Sequence, residues 1–188
     1  MTGPLPELLE QPLIPPPLPG LNPRTIMGQT AWDEERRRVY RKHGFTCAAC
    51  GVNGRDAFPL TRLEAHERFS VDYAARTMTL TGMEPLCPAC HAFVHTGLLE
   101  IRLHRRQVSR DMTRRILEHG FSVLRETGGT VPLGAHQLGR KLGLRHGLPV
   151  ASAPPPTGWS GWTLIWDERT YEAPYQSEAA WARAMRRA

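Results

Sequence analysis

Four cysteines fall in two pairs of identical spacing, Cys47-Ala-Ala-Cys50 and Cys87-Pro-Ala-Cys90. Two thiols three positions apart around a tight turn can take adjacent corners of a tetrahedral ion about 2.3 Å from each sulfur, and zinc suits four thiolates. The competing readings are weaker. A disulfide framework goes with a secretory context, a redox CxxC goes with a βαβ setting, and four unrelated buried thiols would leave the repeated spacing without a cause. The spacing therefore predicts a structural Zn²⁺ at Cys47, Cys50, Cys87 and Cys90. Four thiolates close that ion off from substrate, so any chemistry needs a second set of groups.

Such a set is present in His66, His91 and His95. His91 and His95 stand four apart in the segment after Cys90, which puts both rings on one face if that segment is helical. His66 lies in a stretch of strand character between the cysteine pairs. Taken singly, each imidazole is more simply read as a packing or surface residue, but their joint placement predicts a second metal position. The 36 residues between Cys50 and Cys87 exceed the ~15–20 of a plain two-knuckle ribbon, so a further element sits between the knuckles.

These side chains need elements to hold them. Thr30-x-x-Asp33 reads as a capping box, and Trp32, Arg36, Val39/Tyr40 and His43 recur at helical spacing up to Gly44. Leu60 to Ser70 and Thr77 to Thr81 read as two strands around a turn at Tyr73. Pro88 suits the first turn of a short helix that Gly97 can end. Ser109 caps a longer helix to Glu126, with Met112, Ile116, Leu117, Phe121, Val123 and Leu124 on adjoining stripes. Residues 129–157 look loose and rich in Gly and Pro. Residues 158–175 look like a hairpin, and Ser177 can cap a last helix to Arg187. No internal repeat is visible.

The first 24 residues are dense in proline and read as an extended, polyproline-type arm. The chain carries a net charge of +6, and residues 100–146 hold ten Lys/Arg against four Asp/Glu, which accounts for the whole excess. A local basic stripe favours polyanions; a solvated helix face is the plainer alternative. No run reaches the ~18 apolar residues of a membrane span, and the start of the sequence lacks a secretory pattern, so a cytoplasmic protein with no membrane partner is expected.

The text Leu63-Glu-Ala-His66-Glu67, followed by Leu86-Cys-Pro-Ala-Cys-His91 and on to His95, resembles the HNH, or His-Me finger, endonucleases. The likeness runs from about Asn22 to Leu103. It is similar in particular to a group of small bacterial HNH-like proteins with Asn22 to Thr25 (NPRT), Trp32 to Glu34 and the two motifs just quoted. The resemblance implies a ββα-metal core between two zinc knuckles, with His66, His91 and His95 holding Mg²⁺, Mn²⁺ or another divalent ion. It also implies metal-dependent cleavage of phosphodiester bonds, with Glu67 where the family usually has its base histidine and Gly82 where an asparagine is expected.

Three functions follow as expectations. The first is an HNH-like nuclease acting on DNA rather than RNA, with His66 and Glu67 at the reacting centre and Arg102, Arg105, Arg106, Arg110, Arg114 and Arg115 on phosphates. The second is a catalytically degenerate, zinc-stabilised nucleic-acid-binding protein, an accessory or repair factor. The third is a scaffold using its arm or Trp159, Trp162, Trp166 and Trp181, although tryptophans in a hairpin are more often core. The expected architecture is α+β: an arm at 1–29, a zinc-stapled ββα-metal domain at 30–104, and at 105–188 a basic helix, a linker and a hairpin-helix tail.

Overall fold

A computed structural model of the chain describes residues 3–18 and 20–185. Among these residues the fold is α+β, with seven α-helices, a 3-10 helix at Pro6–Glu10 and one four-stranded sheet of order β1-β2-β3-β4. The helices are α1 (Pro23–Met27), α2 (Gln29–Lys42), α3 (Pro88–Val94), α4 (Thr96–His104), α5 (Arg110–Arg125), α6 (Leu133–Lys141) and α7 (Glu178–Met185). The strands are β1 (Glu64–Asp72), β2 (Thr77–Leu86), β3 (Thr163–Trp166) and β4 (Arg169–Glu172). No described helix is long and apolar enough to cross a membrane.

The chain divides into two compact units that interleave along the sequence, where a succession at 30–104 and 105–188 is the simpler expectation. One comprises Met1–Gln11, Arg36–His66 and Met83–Ala153; the other comprises Pro12–Glu35, Glu67–Gly82 and Pro154–Ala188. The division falls inside β1 and β2 themselves.

In the first unit α5 is the central helix. Ser109 caps it by accepting from the Met112 amide at 3.1 Å, as its sequence suggests. Ile116, Leu117, Phe121, Val123 and Leu124 are buried, and α3 and α4 pack against it. Gly120 lets α3 come close, since a β-carbon there would overlap the ring of the fully buried Phe93. Both flanks of this core depart from the sequence expectation. Leu8 and Leu9, in the supposedly extended arm, form a buried 3-10 turn, and the Leu5 amide donates to Ala48 O at 2.7 Å. Residues 129–157 contain α6, where Ala135 and Leu138 are buried and Gly139 lies against the Phe121 ring. Its glycines permit close packing and do not mark a linker.

In the second unit the Asn22-Pro-Arg-Thr25 segment opens α1. Asn22 Oδ1 accepts from the Thr25 amide and Thr25 Oγ1 from the Asn22 amide, both at 3.1 Å, with Pro23 at the first helical position. Helix α2 starts earlier than its supposed capping box, because the Trp32 amide bonds Gly28 O and leaves Thr30 inside the first turn. β1 and β2 are joined by four residues, too few for a crossover, so they run antiparallel. β3 pairs parallel with β2 at Thr77–Thr79 and antiparallel with β4 through a two-residue turn, Asp167-Glu168, with both φ values positive. Trp162 is buried with its Nε1 donating to Gly158 O at 3.0 Å, and it packs with Leu18, Met78, Leu80 and Leu164. The expected end of the last helix at Arg187 lies outside the described residues, which show it over Glu178–Met185.

Candidate metal centre

The two CxxC pairs close into one cluster. In the first knuckle the Cys47 amide donates to Val52 O at 2.8 Å and the Gly51 amide to Cys47 O at 2.9 Å, with Gly51 at a φ of 73° that favours glycine. In the second, Cys87 caps α3 and its Sγ accepts from the Cys90 amide at 3.4 Å. The four sulfurs lie within 4.8 Å of one another, and Cys50 Sγ is 3.8 Å from Cys87 Sγ. That separation excludes a disulfide, whose sulfurs would be about 2.05 Å apart. It matches the edge of a tetrahedron with 2.3 Å metal–sulfur bonds, ~3.8 Å by geometry. The sulfurs also perturb one another: hydrogen bonds from Cys47 and then Cys87 hold the Cys50 thiol below its usual range, while Cys47 and then Cys50 push Cys87 up. Four thiols this close cannot all ionise without a cation between them. The four-cysteine group is thus positioned to bind a metal ion, in keeping with structural zinc.

His66, His91 and His95 form a second group, also within 4.8 Å of one another. His66 projects from β1, while His91 lies on α3 and His95 at its end, the short helix that the second knuckle starts. The ring centroids stand 5.3 Å apart for His66 and His91, 5.0 Å for His66 and His95, and 4.6 Å for His91 and His95, all edge to face. Gly97 does not end this helix. The break falls at His95, whose amide bonds His91 O at 3.1 Å and whose carbonyl accepts from the Leu99 amide at 3.0 Å, so α4 starts in the same place.

His66 is 2% exposed, and neither of its ring nitrogens has a hydrogen-bond partner. A buried imidazole with two orphaned nitrogens is costly unless a ligand meets one of them, which is the strongest local sign of an ion. Burial, with His91 and His95 adding to it, holds His66 well below its usual pKa. Burial and the neighbouring His91 bring His95 down to about 4. Both rings are therefore neutral near pH 7, the form that ligates metal.

Comparison with protein-family models, curated proteins and solved structures returned no significant match.

Two contributors escape the spacing rules. Glu64 Oε2 lies 2.7 Å from His91 Nδ1, and the His91 bond, opposed by burial, brings the Glu64 carboxyl down to about 2. With Nδ1 donating to the carboxylate, His91 keeps Nε2 free for a ligand, the arrangement usual behind a metal-bound histidine. A signal for it exists, since Glu64 and His66 are two apart and share a strand face. The other is His119 on α5, whose Nε2 is 3.3 Å from Cys90 Sγ. It stands three after Ile116 and four before Val123, a histidine interrupting an apolar stripe.

Glu67 is half-buried, follows His66 on β1 and stands outside the three-histidine group. Arg102, Arg105, Arg106 and Arg110 are exposed around the end of α4 and the start of α5. Arg114 and Arg115 are engaged otherwise: Arg114 Nη1 donates to Leu142 O at 2.6 Å, and the Arg115 guanidinium sits 5.3 Å from the centre of the Phe58 ring. A groove of about 450 Å³ carries Arg62, Glu64 and Arg102 in its wall.

Proposed function

We propose that the chain is an HNH-like, metal-dependent endonuclease that hydrolyses phosphodiester bonds in DNA, with β1, β2 and α3 as its ββα-metal unit. The observation that carries this reading is the convergence of His66 from a strand with His91 and His95 from the helix after the second knuckle. A divalent ion held there supplies positive charge beside a scissile phosphate and its leaving oxygen.

The chain's own groups supply the rest. Burial keeps His66 and His95 unprotonated, and Glu64 fixes the His91 ring. Imidazole ligands favour Zn²⁺, Co²⁺ or Ni²⁺ over Mg²⁺, which prefers oxygen. Arg102, Arg105, Arg106 and Arg110 offer exposed charge to flanking phosphates. Glu67 is the candidate to take the proton of the attacking water, a weak base unless its surroundings raise it. The test is nicking of supercoiled plasmid with Mg²⁺, Mn²⁺, Co²⁺, Ni²⁺ or Zn²⁺. Activity should disappear in His66→Ala and His91→Ala proteins that still hold the cysteine-bound zinc; no nicking with any of these ions removes the nuclease reading.

A second reading, a zinc-stapled nucleic-acid-binding module without cleavage, is favoured by one observation. Successive residues of a strand face opposite ways, so the pleat of β1 turns Glu67 from the His66 side. Binding through four arginines predicts a slope of log affinity against log salt of about −3.6 on duplex DNA. A gel shift that ignores salt, or none at all, removes this option.

A further inference from the structure

The four-cysteine group has a fifth neighbour that supplies no sulfur. His119 Nε2 lies 3.3 Å from Cys90 Sγ and 3.9 Å from Cys87 Sγ, along the edge shared by the two sulfurs of the second knuckle. Four thiolates on one divalent ion carry a formal surplus of negative charge, and three of the four cysteines are buried. Sulfur lone pairs facing the protein interior are stabilised by any N–H that reaches them, and ring N–H groups are strong donors. The Cys90 Sγ distance suits an N–H···S bond, and because the four sulfurs form the mutually close group without His119 and already complete a tetrahedral shell, His119 stands outside it.

Its backbone comes from α5, far in sequence from either knuckle, so the bond ties that helix to the metal centre. The ring also meets Phe58 edge to face at 5.2 Å. Phe58 in turn carries the Arg115 guanidinium. A chain of contacts thus leads from the second knuckle through His119 and Phe58 to the basic side of α5.

We propose that His119 is a positioning residue of the zinc centre, donating its Nε2–H to the Cys90 thiolate with Cys87 as second acceptor, and that this bond slows release of the metal. Outer partners of this kind change metal affinity by about 10–100-fold when removed.

Two substitutions separate the hydrogen bond from simple packing. His119→Phe keeps a ring against Phe58 but has no donor, whereas His119→Gln keeps an N–H and loses the ring. Zinc transfer to a chromogenic chelator should be about 10–100-fold faster in His119→Phe and close to the parent rate in His119→Gln. The thiolate charge-transfer bands of the Co²⁺-substituted protein should shift in the Phe variant alone. Parent-like release and unchanged bands in His119→Phe would overturn the proposal and leave His119 as packing. Should the Phe variant not fold, the parent protein loaded with ¹¹³Cd decides the matter: scalar coupling between ¹¹³Cd and the His119 ring N–H proton is expected across the bond. A His119 ring protonated only at Nδ1 would refute it.

Discussion

Replacing His66 by leucine should stabilise the protein that holds only the cysteine-bound metal, while abolishing its response to a second ion. His66 is buried with two unpartnered nitrogens, and each unsatisfied buried polar group costs about 1–3 kcal/mol. Leucine is similar in size and removes both. Subtracting the edge contacts with His91 and His95, at about 0.5–1.5 kcal/mol each, leaves a gain on the order of 1–3 kcal/mol. At roughly 2–4 °C per kcal/mol for a chain of this length, Tm should rise by on the order of 5 °C. The parent protein should recover about 2.7 kcal/mol when a divalent ion is added at a hundred times its Kd, and His66→Leu should gain nothing. Thermal melts of both proteins, at one zinc per chain and with added Zn²⁺, Co²⁺ or Mn²⁺, give the answer. A lower Tm for the leucine variant, or a metal response that survives it, would refute the reasoning.

Three other outcomes are expected. Glu64→Gln keeps an acceptor for His91 Nδ1 but loses the charge, so calorimetry on the zinc-holding protein should find the second ion bound about 10–100-fold more weakly. In protein without that ion, the unfolded chain takes up a proton at His95 near 6.5 that the folded cluster refuses until about 4. Stability should therefore fall as pH drops through that window, by about 3 kcal/mol for His95, and the difference in urea midpoint between parent and His95→Gln isolates it. Gly120→Ala should cost about 1–3 kcal/mol through overlap with Phe93, less the ~1 kcal/mol of helix propensity that alanine adds. Combining it with Phe93→Leu in chemical denaturation should give a smaller loss than the sum of the two.

What can be read in the sequence is local. The CxxC pairs, the spacing of His91 and His95, the Ser109 cap and the apolar stripes of α5 each follow from rules that span a turn or two. His66 is legible because a short strand between the knuckles has to present something to them. What escapes depends on distant partners. Leu8 and Leu9 look like part of a proline-rich arm until the rest of the first unit is there to bury them. α6 hides behind Gly134 and Gly139, since composition alone cannot separate a glycine that admits a neighbour from one that loosens a loop. The parallel pairing of β2 with β3 joins segments that no local pattern connects. His119 reaches Cys90 only because α5 packs on α3 at Gly120.

The four cysteines are positioned to bind one metal ion, and the three histidines are proposed to hold a second. Anomalous diffraction from crystals grown with zinc and then soaked in Co²⁺ or Mn²⁺ tests this arrangement most directly. Two peaks are expected: zinc within bonding distance of Cys47, Cys50, Cys87 and Cys90, and the soaked ion among His66, His91 and His95. A single peak at the cysteines, with the three rings left bare at saturating metal, would contradict it.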